Sequence, residues 1–476
     1  MKITDRSNWI TFLTALLTAA LLIMPMGLSP VWNGEIANHH NQYEEIAESF
    51  LHGHLYFEYN DVEEQLAAME NPYDPAARDA LGIDLHVDHA FYNGHFYMYY
   101  GVVPAVLVFV PYRLLTGHSL TTYHATQLFV LLTVLGIFLL FAQIRSRFFS
   151  DGKKSLMRLF AAAVSLSSLW YAADAPSLYC TAFTAAICCM VYSLLFYLET
   201  VFGEKGEDGE KGGEEGGKRA VKQAGCAFLG GLCGALAFGC RPPVALANLA
   251  AVPLLVVYLS SGRASRREKT RTVLCAMIPY AIVAALLMWY NAARFGSPFE
   301  FGQAYQLTVA DLHSYGSFGE TFSLSWELRG LYENFFGFYG FSGTFPFIRY
   351  GGAFVNFPML LLIFAVWIPA VRKRLSARKL SGFGLVLFVL PVLITLIDAL
   401  WSPIIYERYR MDIYYLMGIL TYLVSCSILL TEDERKRIRA ERILTVLCVL
   451  TIISSILLYF VPYDYNASAW FSWFTR

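Results

Sequence analysis

Residues 122–142 read TYHATQLFVLLTVLGIFLLFA, twenty-one residues without one charged side chain. An α-helix rises about 1.5 Å per residue, so this stretch covers the roughly 30 Å hydrocarbon core of a bilayer. Similar apolar runs lie on both sides of it, at 8–28, 101–116, 156–173, 176–199, 223–240, 243–260, 272–291, 353–371, 382–402, 411–430 and 443–462. The 476 residues are 56% hydrophobic and only 15% charged, where a soluble domain carries about 25% charge. The fold class this predicts is an all-α integral membrane protein of about 11–12 transmembrane helices, a single polytopic membrane domain over 1–476. Lys2 and Arg6 precede an apolar run too long for a signal peptide, and no clear cleavage site follows, which predicts a retained first helix.

Charge and cysteine usage narrow the class further. A net charge of -1 provides no basic field for nucleic acid. The nine cysteines fall in or beside apolar runs and make no CxxC pair, so they read as small buried hydrophobes, not a disulfide framework or metal site. Basic clusters at 145–154, 263–271, 372–379 and 435–439 belong on the cytoplasmic side with the N-terminus. Parity then demands an odd number of crossings between residues 100 and 145, where two apolar segments stand. The first, 101–116, is short and contains Pro104 and Pro111.

This orientation leaves two long outer loops, 29–100 and 292–350, and a Gly/Glu/Lys-rich stretch, 201–222, that reads as a disordered cytoplasmic linker. In the first loop, residues 41–51 place Tyr43, Ile46, Ala47, Phe50 and Leu51 on one helical face, as a helix lying on the membrane surface does. Seven of the ten histidines sit in this loop (His39, His40, His52, His54, His86, His89 and His95), but not at the i, i+4 spacing of one helical face. A divalent metal is compatible with such residues and no strong ligand pattern argues for one. Glu35, Asp84 and Asp88 are the acids nearest the membrane ends of the loop, where a carboxylate can take a proton from an attacking hydroxyl or amine. The aromatic run 88–112, with Tyr97, suits an interfacial belt or a platform for a sugar ring.

Charges at the edge of spans are costly and point to function. On the outer side these are Arg241 in GCRPP, Arg294, Arg349, and YERYRMD at 406–412 with Glu407, Arg408, Tyr409, Arg410 and Asp412. Arginines converging at membrane level offer planar, bidentate donors to a phosphate head group.

The order of these segments resembles the GT-C superfamily of polytopic glycosyltransferases, the polyprenyl-phosphate-sugar-dependent enzymes of the mannosyltransferase and aminoarabinose-transferase kind. YNGHFYMYYGVVPAVLVFVPYRLLTG (92–117) is similar to its Gly-x-x-Pro region. GGLCGALAFGCRPPVAL (230–246) resembles its Arg-Pro helix, LLMWYNAARFGSPFEFGQAYQL (286–307) its Y-N-x-x-R-F-G-S-P segment, and YERYRMD its late R-Y-x-x-D segment. The resemblance implies a lipid-linked sugar donor, an unidentified acceptor outside the cytoplasm, a first-loop acid as base and arginines on the lipid phosphate. Where the family has Asp before the first-loop tyrosine, this sequence has Asn38, His39, His40, Asn41 and Gln42 before Tyr43. Glu35 or Asp88 is then the expected catalytic acid, with Arg241, Arg294, Arg408, Tyr409, Glu407 and Tyr97 lining the phosphate and substrate site. A bacterial plasma membrane fits the cysteine-free outer loops. Rival readings are a transporter or flippase of lipid-linked sugar, and a non-catalytic membrane assembly protein. A transporter needs charges along a midplane pathway, and few acids lie in or beside the apolar runs, Asp174 and Asp398 among them.

Overall fold

A computed structural model describes residues 6–27, 41–59, 61–83, 86, 88–174, 177–203, 214–262, 264–314, 322–338, 340–341, 343, 345–347, 349–401 and 407–461. Among them, ten helices are long and apolar enough to cross a membrane. These are α1 (Arg6–Met26), α6 (Thr122–Phe148), α7 (Lys154–Asp174), α8 (Leu178–Phe202), α9 (Glu214–Phe238), α10 (Pro242–Ser260), α11 (Arg266–Phe295), α13 (Ser381–Trp401), α14 (Glu407–Ile428) and α15 (Glu434–Leu458). Between α1 and α6 lie α2 (Gln42–Leu51), α3 (Glu63–Ala67), α4 (Pro75–Leu81), strands β1 (His89–Tyr92) and β2 (His95–Met98), and α5 (Ala105–Thr116). Strand β3 (Gln306–Leu307) and helix α12 (Leu324–Phe335) follow α11.

Two of the expected spans are shorter than predicted. Helix α5 has twelve residues, about 18 Å at the α-helical rise, too short to cross. Its first five residues wind as a π-helix, because Pro111 has no N–H to give. The segment Pro358–Trp367 is a 3-10 helix, whose steeper rise of about 2.0 Å per residue stretches ten residues to roughly 20 Å. With α5 removed and this segment counted, the crossings alternate so that the basic clusters gather at one end of the bundle. Contacts at that end agree. Arg147 and Lys222 both pair with Glu199, Lys153 Nζ lies 2.5 Å from Glu441, and Arg378 Nε donates to Phe148 O at 2.7 Å.

The opposite end carries a three-stranded antiparallel sheet of order β2-β1-β3. Asn93 and Gly94, both at positive φ, turn β1 into β2, as a two-residue hairpin requires. Helix α2 does not lie free on a membrane surface. Its face of Tyr43, Ile46 and Ala47 is buried with Phe57, Phe96 and Phe109, and Tyr43 stacks on Phe109 at 5.4 Å. Glu44 caps the start of α6 by accepting from Thr122 N at 2.6 Å. The two long loops are stapled together: Arg78 donates to Pro72 O and Thr308 O, both at 2.7 Å, and Asn71 Nδ2 to Asp311 at 2.8 Å. Helix α9 begins at Glu214, so the last part of the expected linker 201–222 is helical.

Candidate functional site

Two of the sequence motifs meet at the sheet end. Gly101 lies against the backbone of Gly239 and Cys240, where a Cβ would come 2.3 Å from Cys240 O. Val103 N donates to Gly239 O at 3.0 Å. Only glycine permits this approach, and it sets the Gly-x-x-Pro segment beside Arg241.

Arg241 is the extended residue before α10, which opens with Pro242 and Pro243. Its Nε donates to both carboxylate oxygens of Asp412, at 2.8 and 2.7 Å. Asp412 has no exposed side-chain surface and Arg241 keeps 14% of its own. Among the described residues the two terminal nitrogens of Arg241 have no hydrogen-bond partner. Its guanidinium lies 5.2 Å from the Tyr409 ring centre, and Asp398 is within electrostatic reach of both Arg241 and Asp412.

Arg408 lies on the other side of Tyr409. Its guanidinium sits 5.6 Å from the Tyr409 ring centre and 4.1 Å from that of Tyr179, both within cation–π range. The Tyr179 hydroxyl donates to Oδ2 of Asp88, and Gln306 Nε2 donates to Oδ1 at 2.7 Å. An unbroken series thus runs from Asp88 through Tyr179, Arg408 and Tyr409 to Arg241.

Asp88 is a buried acid in the left-handed region, with φ 61. For a non-glycine residue that conformation stores strain and is held only by its surroundings. Here Asp88 N donates to Leu307 O at 2.8 Å, and Gln42 Nε2 to Asp88 O at 3.3 Å. Tyr100 packs edge-on to Tyr179 at 5.4 Å, and burial followed by the Asp88 charge holds its phenol well above the usual range.

Other expected residues go elsewhere. Arg294 is buried with its guanidinium committed to the protein: Nη1 donates to Met98 O at 2.6 Å and Nη2 to Asn291 Oδ1 at 2.8 Å, over the Tyr290 ring. It ties α11 to β2. Tyr97 packs on the sheet face with Phe295 and Tyr56. Glu407 is half-buried at the start of the turn carrying Arg408. Arg410 Nη1 donates to Gly351 O at 2.7 Å. Glu35, Asp84, His39 and His40 lie outside the described residues. His52 and His54 face Glu58, and His86 faces Asp61 at 2.7 Å. Among the described residues no three His, Cys, Asp or Glu side chains converge as a metal site. Tyr179 and Gln306 were not expected, having no local signal. Their roles arise where α8 and β3 reach Asp88.

No protein-family model matches the chain, and no curated protein does. Among solved structures, the Archaeoglobus fulgidus oligosaccharyltransferase in its apo form is similar, with a TM-score of 0.52 and 11% identity over 97% of this chain. The match covers 57% of that enzyme's chain. At this identity the likeness is one of architecture: the chain shares the polytopic membrane fold of an oligosaccharyltransferase.

Proposed function

We propose that this protein transfers a sugar from a polyprenyl-phosphate donor to an acceptor at the outer face of the membrane, inverting the anomeric carbon. The positive-inside rule puts the basic end in the cytoplasm and the sheet end outside. The observation that carries the proposal is the continuous series of Asp88, Tyr179, Arg408, Tyr409 and Arg241. Arg241, anchored through Nε, presents a planar pair of terminal nitrogens suited to phosphate. Arg408 supplies a second positive charge, and the Tyr409 ring lies between the two.

In this reading Asp88 is the base, its carboxylate aimed by Gln306 and Tyr179. It takes the proton from the acceptor hydroxyl or amine as that atom attacks the anomeric carbon. The bond from this carbon to the phosphate oxygen breaks, and its electron pair passes to the phosphate. The arginines stabilise the charge that grows there. Glu35, the nearest acid upstream of Tyr43, is the competing base. The fold likeness to an oligosaccharyltransferase supports glycosyl transfer coarsely, and a bacterial plasma membrane is the proposed setting.

The test is transfer from radiolabelled undecaprenyl-phosphate sugars by purified protein in lipid, comparing wild type, Asp88→Asn and Glu35→Gln. The expected result is transfer by wild type, abolished in Asp88→Asn alone. Loss in Glu35→Gln alone moves the base to Glu35, and equal transfer in all three removes both acids from the mechanism.

A further inference from the structure

Helix α12 is built inside out for a helix in water. Leu324, Leu328 and Tyr332, with Phe336 just beyond its end, recur at helical spacing, and each is more than half exposed. The face that carries Glu327, Gly330 and Asn334, with Phe335 beside them, is buried. Water favours the reverse. The arrangement suits a helix at the membrane surface, with its apolar face toward lipid and its polar face toward a polar occupant.

Asn334 Nδ2 donates to Gly330 O at 2.9 Å, but several atoms of the inward polar groups have no hydrogen-bond partner among the described residues. Both carboxylate oxygens of Glu327 and Oδ1 of Asn334 are buried without a hydrogen bond, and Nε of Arg410 is too. A buried acceptor or donor without a partner costs free energy, and a bound group that supplies the missing partner removes that cost.

Their position ties them to the arginine series. Trp326 Nε1 donates to Ala399 O at 2.9 Å, and a Cβ on Gly330 would lie 2.9 Å from Ala399 Cβ. Helix α12 therefore lies across the end of α13 that carries Asp398. At its far end, Gly352 packs against the backbone of Phe335 and Phe336, and neighbouring Gly351 accepts from Arg410.

We infer that the buried face of α12 recognises the sugar itself. Glu327 and Asn334 accept hydrogen bonds from ring hydroxyls, and Arg410 Nε donates to one. Three orphaned acceptor oxygens call for a ligand rich in donors. A sugar ring presents neighbouring hydroxyls that fit a carboxylate; a phosphate has few donors and a prenyl chain none. The inference rests on the reading above and divides the labour within it: the arginines hold the lipid phosphate and α12 reads the sugar.

The test is equilibrium binding to the full chain in lipid nanodiscs, wild type against Glu327→Leu. The probes are undecaprenyl phosphate alone and undecaprenyl phosphate bearing glucose, mannose or an aminopentose. Wild type is expected to bind one sugar-bearing lipid more tightly than the bare lipid. Glu327→Leu is expected to bind the bare lipid as wild type does and to lose that preference by about tenfold or more. It should melt no lower than wild type, because a buried orphan is gone. Retained preference in the variant, no preference in wild type, or equal loss for bare and sugar-bearing lipid overturns the inference. Failure of wild type to bind any of the four lipids overturns the donor reading itself.

Discussion

Replacing Arg241 by Gln is expected to damage the protein more than replacing its partner Asp412 by Asn. Arg241 is the positive charge between Asp412, which has no exposed side-chain surface, and Asp398, which is also buried. Removing one partner of a buried ion pair costs about 3–5 kcal/mol. Arg241→Gln belongs at the top of that range, since it leaves two buried carboxylates without their shared cation. Asp412→Asn leaves Arg241 with Asp398 as counter-charge, and an amide oxygen that still accepts from Nε. Its loss is closer to the roughly 1–3 kcal/mol of a weakened charged hydrogen bond. The two variants should differ by about 2 kcal/mol, the difference between those ranges. Stability to denaturant in nanodiscs measures each. The double variant Arg241→Gln/Asp412→Asn relieves the repulsion and should recover a good part of the loss. Equal losses, a larger loss in Asp412→Asn, or no recovery in the double variant refutes the reasoning.

Two further outcomes follow from the packing. Gly101→Ala drives a methyl group into the carbonyls of Gly239 and Cys240, at 2.4 and 2.3 Å; neither backbone can swing aside. It should cost about 1–3 kcal/mol of strain and depress transfer through Arg241, measured by melting and by the donor KM. Arg294→Lys keeps the charge but loses the fork that holds Met98 O and Asn291 Oδ1. It should speed proteolysis of the outer loops, while folded protein binds bare undecaprenyl phosphate as wild type does. Weaker lipid binding with unchanged proteolysis returns Arg294 to the phosphate site.

Much of the membrane architecture was legible in the sequence because a bilayer leaves few choices: long apolar runs became helices, and lysines and arginines collected at one end. The parity conflict centred on 101–116, a segment already short in the sequence, and its length decides the matter. Helix α5 is apolar, yet stops at Thr116 before Gly117. The hairpin was missed although its signal was present. Asn93-Gly94 between alternating residues is a strong turn marker, obscured by an aromatic density that also suits a membrane belt. Arg294 could not be separated from Arg241 and Arg408 by sequence. Each ends or begins an apolar run, and only the fold decides which guanidinium the backbone claims. Glu327 also looked ordinary, an acid in an outer loop; its significance is its burial without a partner, which no local pattern encodes.

The most direct measurement is a cryo-electron microscopy structure of the full chain in nanodiscs with undecaprenyl phosphate bound. The account predicts the phosphate within about 3 Å of the terminal nitrogens of Arg241, with Arg408 beside it and Asp88 on the side from which an acceptor approaches. A phosphate held at Arg294, at the basic end, or nowhere near Arg241 and Arg408 contradicts it.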